Sequence, residues 1–248
     1  MVPRLSTGDD LGDCPVVELR RYRLRPGRFD SLQRVFQKEL VEPQIAAGMR
    51  LGGQFRDRDD PDRFVWFRGF ASMERRHRAL ERFYLGPVWR EHADEANATM
   101  LDSDDVLLLR PTAPPHPPGH AVAPGDVTGE EWAALQVLEL PGDEALEAWI
   151  GHTYHAALER VSGRPVAMWR TEHSPNTFTA LPVRTGNFFV ALMVCSTADE
   201  WAQISGRLSA DEEWLHCAGK LRSAGVDVEW THLRPTRTSR HPAPVGLR

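Results

Sequence analysis

The sequence predicts an α+β protein of two tandem ferredoxin-like (β-α-β-β-α-β) domains that form an intramolecular dimeric α/β barrel. Three observations predict it. The tetrapeptide Leu-Arg-Pro-Thr closes two stretches, at Leu109-Arg110-Pro111-Thr112 and at Leu233-Arg234-Pro235-Thr236, 124 residues apart. Between them, residues 113–130 are dense in Pro and Gly and lack apolar periodicity, the composition of a semi-rigid linker. Each flanking stretch then reads strand, helix, two strands, helix, strand, the ferredoxin-like order. A four-stranded sheet covered by helices on one face needs cover on the other, and two such sheets in one chain supply it to each other.

The first domain, residues 15–112, opens with the β-rich run Val16–Tyr22 and a turn at Pro26-Gly27. Apolar Phe29, Leu32, Val35, Phe36 and Leu40 follow at helical spacing, with Gly48 at the C′ position. Pro43 is expected to kink or shorten that helix. Strands Met49–Arg56 and Phe64–Phe70 flank the Asp/Pro turn at 59–62. A second helix starts after Ser72, breaks at Gly86-Pro87 and resumes through Trp89 to about Asn97, before a strand at Val106–Arg110. In the second domain, residues 131–236, the strands are Leu135–Leu140, Val166–Arg170, Phe188–Val194 and Val226–Leu233. Its first helix is Glu144–Val161, ending at Gly163. Its second is split, as shown by two capping boxes, Thr197 with Glu200 and Ser209 with Glu212. Residues 237–248 read as a disordered tail.

Composition narrows the function classes. Of 248 residues, 41% are hydrophobic and 26% charged, an ordinary globular mix. A net charge of −5 argues against a general nucleic-acid binder. Lys38 and Lys220 are the only lysines, an arginine bias that reflects genome composition more than an anion site. No apolar run has the ~20 residues of a membrane span, and the N-terminus lacks the basic and apolar regions of a signal peptide. Cys14, Cys195 and Cys217 show no metal-type spacing and read as reduced thiols of a cytoplasmic protein.

Residues 16–112 resemble a NIPSNAP domain. The resemblance is carried by Gly48-Met49-Arg50-Leu51-Gly52-Gly53-Gln54-Phe55-Arg56, by the run from Asp60-Pro61-Asp62 to Gly69-Phe70, and by Phe83-Tyr84-Leu85-Gly86-Pro87-Val88-Trp89. It continues through Ala96-Asn97-Ala98-Thr99-Met100 and Asp102-Ser103-Asp104-Asp105-Val106. The second unit keeps the layout but few letters, with Cys217 in place of His92 and Trp214 in place of Trp89. The resemblance implies the dimeric α/β barrel superfamily, which holds cofactor-independent monooxygenases, polyketide cyclases, lactone isomerases and haem enzymes. It implies the fold more firmly than any reaction.

Strand alternation supplies the candidate site. Glu18, Arg20 and Tyr22 share one face of the first strand. Gln54 and Arg56 share a face opposite Met49, Leu51 and Phe55, and Trp66 and Arg68 share a face opposite Val65 and Phe67. If the apolar sets pack under the helices, the polar set lines a cavity between the sheets, where arginines hold a carboxylate, phenolate or enolate. The competing reading makes Glu18 and the arginines a structural ion network. His92, at the margin of an apolar helical stripe, is a candidate general base, and Tyr84 a candidate donor to the same cleft. The candidate catalytic residues are therefore His92, Arg68, Arg56 and Tyr84. The candidate binding residues are Gln54, Trp66, Trp89, Glu18, Arg20 and Tyr22. Arg68→Ala is expected to abolish turnover at near-native stability.

His152 and His155 are spaced i, i+3 on a helix, but no third ligand accompanies them, so a solvated helix face is expected and no metal. The insertion at 171–186, with His173 and Asn176, has the length of a lid. The Gly52-Gly53 pair marks a bulge or close packing. The expected activity is a cyclisation, isomerisation or cofactor-independent oxygenation of a planar aromatic or polyketide-like molecule, in a biosynthetic role. A non-catalytic scaffold is the alternative. A haem enzyme, with His92, His155 or His173 as axial ligand, is the third reading. The expected partners are a small-molecule ligand and a second copy of the chain, not nucleic acid or membrane.

Overall fold

The computed structural model describes Leu11, residues 14–112 and residues 132–236. The linker at 113–130 and the tail at 237–248 lie outside the described residues.

In the first half, β1 (Val16–Leu24) leads into α1 (Phe29–Val35), which continues through a π-turn (Phe36–Leu40) into α2 (Val41–Ala47). Then follow β2 (Arg50–Asp57), β3 (Arg63–Phe70), α3 (Met73–Tyr84), α4 (Pro87–Asn97), a short β4 (Met100–Asp102) and β5 (Val106–Pro111). The second half has β6 (Trp132–Leu140), then α5 (Glu144–Trp149), a π-turn (Ile150–Tyr154) and α6 (His155–Ser162). It ends with β7 (Ala167–Thr171), β8 (Asn187–Cys195), α7 (Ala198–Ala210), α8 (Glu212–Ser223) and β9 (Thr231–Pro235). No helix among the described residues is long and apolar enough to cross a membrane.

Eight strands close into an antiparallel barrel. The order is β3-β2-β9-β6-β8-β7-β5-β1, with β1 pairing back onto β3. Each half contributes four neighbouring strands in equivalent order, and the halves join at two seams, β5–β7 and β2–β9. β4 extends the edge where β5 leaves β1.

Alternation divides the side chains into an interior set and a helix-facing set, and the division reverses the expected one. The interior is filled by Val17, Leu19, Phe55, Val65, Phe67, Leu107 and Leu109 meeting Leu135, Trp169, Phe188, Val190, Leu192 and Leu233 of the other half. The polar set instead lies on the outer face, beneath the helices, beside Phe36, Leu80 and Phe83. The cause is space: an eight-stranded barrel is just wide enough for its own side chains to fill, so apolar residues from both halves occupy it. β2 also changes phase, because its register with β3 shifts between Leu51 and Gln54. That bulge puts Leu51 on the helix side with Gln54 and turns Phe55 inward.

Gly52 serves close packing as well as the bulge. A Cβ there would lie 2.5 Å from Leu11 Cδ1, and one on Gly69 would lie 2.5 Å from Cys14 Sγ. Leu11 and Cys14 thus belong to the interior cluster, pressed onto two side-chain-free positions. Gly69→Ala should overpack this contact and cost about 1–3 kcal/mol, read as a lowered Tm. An unchanged Tm would mean that Leu11 and Cys14 move aside freely.

The helices correct three local expectations. Pro43 does not end its helix; the chain passes through the π-turn and continues to Gly48, whose φ of 104° caps it. The second half has the same π-turn without a proline, so Pro43 is not its cause. That π-turn advances the stripe by one residue, so Tyr154, Leu158 and Val161 are buried where Thr153 is exposed. His155 is thereby carried inward rather than onto a solvated face, and its Nε2–H donates to the Val166 carbonyl at 2.9 Å. Finally, α7 is capped by Thr197 as expected, but α8 is capped by Asp211 rather than Ser209, with Trp214 N–H donating to Asp211 Oδ1.

Candidate functional site

One carboxylate organises the polar set under the first-half helices. Glu18 is fully buried. Its strand partner across β1–β3 is Arg68, and Arg20 lies opposite Trp66. Arg68 Nε donates to Glu18 Oε2 at 2.6 Å and Arg20 Nη1 donates to the same oxygen at 2.9 Å. The third partner comes from α3, whose N-cap Ser72 accepts from Arg75 N–H. Arg76 stands one turn before Ala79 and Leu80 on the buried stripe, and its Nε donates to Glu18 Oε1 at 2.6 Å. All three guanidinium groups are buried.

The charge balance is the notable property. Three guanidinium groups face one carboxylate, so the cluster holds two positive charges that Glu18 does not neutralise. Burial pushes the Glu18 carboxyl up, but Arg68, Arg76 and Arg20 outweigh it and hold the group well below the usual carboxylate range. Glu18 therefore stays ionised and orients the arginines instead of exchanging protons. Arg20 Nε donates to Tyr22 Oη at 2.7 Å, and burial keeps the Tyr22 hydroxyl above its ordinary value. Arg68 Nη1 reaches Tyr84 Oη at 3.3 Å and Gln44 Oε1 at 3.4 Å. Trp66 lies under both Arg20 and Arg68, 5.8 and 5.4 Å from its ring.

Three buried donors are left over. Arg68 Nη2, Arg76 Nη2 and Trp66 Nε1 have no hydrogen-bond partner among the described residues. In a guanidinium group the Nε–H and one Nη2–H point from the same edge, the fork that grips oxyanions. Arg68 and Arg76 each use the Nε of that edge on Glu18, so each Nη2 offers a donor beside the carboxylate. Buried donors without partners are costly and call for an account. An added oxygen on these two atoms would supply it.

The comparisons with known proteins agree with this architecture. Residues 17–114 match the NIPSNAP family model. The match lies within the first half of the chain. Among solved structures, the whole chain resembles an anthrone oxidase-like protein, with a TM-score of 0.61 and 15% identity over 92% of this chain and 93% of that one. It also resembles a putative monooxygenase from Lactobacillus acidophilus NCFM, with a TM-score of 0.57 and 11% identity over 94% and 97% of the two chains. A NIPSNAP-like domain protein from Burkholderia xenovorans is 26% identical over 43% of this chain and 95% of that one, with a TM-score of 0.37. None of the curated proteins matches. At these identities the two whole-chain likenesses show the fold.

The half matched by the NIPSNAP model alone carries the charged cluster. Glu18 pairs with Arg68 across β1–β3, whereas the corresponding β6–β8 pair is Ala134 with Met193. Arg76 follows its cap by four residues, and the same step from Thr197 reaches Trp201. The second-half site is thus packed with apolar side chains, apart from Gln136, whose Oε1 accepts from Tyr154 Oη at 2.6 Å. The second half still serves the first-half site through its 172–186 loop. Asn176 Oδ1 accepts from Arg76 Nη1 at 2.9 Å, while Phe178, Leu181 and Val183 pack into the first-half core.

The other expected site residues spread out. Trp89 packs edge-on against Tyr84, 4.9 Å between centroids, so these two form one wall with Phe178. Gln54 meets the Gln37 side chain. Arg56 is not in the cluster: it sits at the β2–β9 seam, its Nε donating to the Pro61 carbonyl at 2.9 Å. His92 is also apart, with Nε2 3.6 Å from Glu39 Oε2. Arg76 and Asn176, which complete the cluster, were not among the expected site residues. Because Arg68 is buried and bonded to Glu18, Arg68→Ala cannot leave stability near native, which corrects that expectation.

None of the three histidines considered as an axial haem ligand fits that role. His155 is engaged by the Val166 carbonyl, His92 faces Glu39, and His173 is exposed on the second half. Among the described residues no group of three or more His, Cys, Asp or Glu side chains is arranged to hold a metal ion.

Proposed function

We propose that the chain is a small-molecule enzyme whose NIPSNAP half binds a planar phenol or enol and stabilises its oxyanion. The observation that carries this reading is the surplus of two buried positive charges with two unpartnered Nη2 donors beside Glu18. A substrate oxyanion on those donors would neutralise charge and satisfy hydrogen bonds together, and preorganised donors in a dry site are the strongest means of lowering a barrier to an anionic intermediate. Trp66, Trp89 and Tyr84 offer aromatic faces to a planar ring system.

The reaction class favoured is cofactor-independent oxygenation of an anthrone-like or polyketide-like substrate, a biosynthetic role in the cytoplasm. The substrate's ring CH2 loses a proton and its carbonyl oxygen becomes the enolate oxygen held by Arg68 and Arg76. The carbanionic carbon then reduces O2 by two electron pairs in all, so that CH2 and O2 become C=O and H2O. Tyr84, half-buried and within reach of Arg68, is the hydroxyl placed to move the proton. The similarity to an anthrone oxidase-like protein supports this class, as does the cluster of three buried guanidinium groups around one carboxylate. Two tandem ferredoxin-like domains, one retaining the site and one repacked as apolar support, fit the inequality of the halves.

The test is aerobic incubation of the full chain with 1,8-dihydroxyanthrone, following quinone absorbance and O2 consumption. Stoichiometric O2 uptake is expected, with Tyr84→Phe slowing it about 100-fold. No conversion above the rate in buffer would remove the oxygenase reading.

A further inference from the structure

The repeated Leu-Arg-Pro-Thr places an arginine at each barrel seam, and each meets an arginine of the other half. Arg110 lies opposite Arg170 across β5–β7, and Arg234 lies opposite Arg56 across β2–β9. Like charges directly opposite on one sheet face sit about 4.5–5.5 Å apart at Cβ and destabilise the pair. Neighbours relieve the second seam. Arg56 donates to the Pro61 carbonyl, has Asp30 Oδ1 at 3.9 Å and lies over the Phe29 ring, while Arg234 is exposed.

The first seam has less relief: the Glu172 carboxylate attracts Arg110 without making an ion-pair contact with it. Neither Arg110 nor Arg170 has a hydrogen-bond or ion-pair partner among the described residues, and the Nε atom of each is buried. The nearest acid in sequence, Glu172, uses its Oε1 on the Ser174 N–H and hydroxyl. Both arginines line a cleft of about 460 Å³ whose other walls include His173, Asn187, Glu144 and Glu147.

We propose that this seam cleft is a second binding site, separate from the Glu18 cluster, for a small metabolite bearing one oxyanion group. The carboxylate or phosphate sits between Arg110 and Arg170, takes their Nε–H donors and removes the like-charge repulsion. Glu144 and Glu147 on the facing wall repel a polyanion, so the ligand carries a single anionic group, with donors toward the glutamates.

The test measures Tm of the full chain in sodium benzoate or inorganic phosphate against sodium chloride of equal ionic strength. At roughly tenfold saturation one of the two should raise Tm by about 3–6 °C over chloride. A benzoate response assigns a carboxylate ligand and a phosphate response a phosphate monoester. Arg170→Gln should abolish the response while leaving Tm in chloride unchanged or higher, because a repulsion is lost. Arg234→Gln, at the other seam, should keep the full response. The proposal is overturned if neither anion exceeds chloride, if Arg170→Gln responds like wild type, or if Arg170→Gln melts well below wild type in chloride.

Discussion

Replacing Glu18 by Gln should lower Tm more than any other single isosteric change in the first half. The substitution keeps volume and removes only charge, leaving Arg20, Arg68 and Arg76 buried without a counter-ion. Removing one partner of a buried ion cluster typically costs about 3–5 kcal/mol, or roughly 6–20 °C for a chain of this size. Thermal unfolding at neutral pH measures it, and an equal Tm would show that water or a bound anion already neutralises the arginines. The pH response has a definite sign. A carboxyl held below its ordinary value contributes stability that is fully present above about pH 4.3 and is lost as acid protonates the folded state. The Tm gap between wild type and Glu18→Gln should therefore be widest near neutrality and narrow only as pH falls below the ordinary carboxylate range.

Arg68→Lys should cost far more activity than stability. Lysine keeps a cation beside Glu18, and Arg20 and Arg76 remain in place, so Glu18 stays paired. It removes the planar fork, and with it the Nη2 donor assigned to the substrate oxyanion and the Nη1 reach to Tyr84. Loss of one oxyanion donor is worth about 100- to 1000-fold in kcat, and the fall should appear in kcat with 1,8-dihydroxyanthrone more than in KM. A rise in KM at unchanged kcat would make Arg68 a ground-state anchor only. Full activity would remove it from the site.

Much of the barrel was legible because it rests on local rules. β1 and β3 alternate cleanly, Gly48 and Gly163 mark helix ends, and the repeated tetrapeptide marks the two closing strands. Which face turned inward was not legible, since alternation separates two sets of residues without saying which set meets the helices. Once the interior is recognised as the place where both halves must fit, Leu107, Val65 and Phe67 belong there and Glu18 does not. Arg76 did leave a signal: a charged residue at helical spacing from Ala79, Leu80 and Phe83 sits on an apolar stripe, where only a buried partner could hold it. Asn176 was marked only by the length of its 171–186 insertion, and its partner was not legible because that loop of one half crosses to the other. Arg56 misled because it shares a strand face with Gln54, while the seam places it at the start of α1, against Phe29 and Asp30 and away from Glu18.

The most direct test of a buried cationic site is the ionisation of a bound phenol. The full chain would be titrated with 1,8-dihydroxyanthraquinone, whose phenolate absorbs at longer wavelength than its phenol, and the bound dye followed across pH. Two unneutralised arginine charges should lower the phenol pKa by about 1–3 units, and Arg68→Lys should reduce that shift. A dye that binds and ionises at its free-solution pH, or shifts equally in Arg68→Lys, would contradict an oxyanion site beside Glu18.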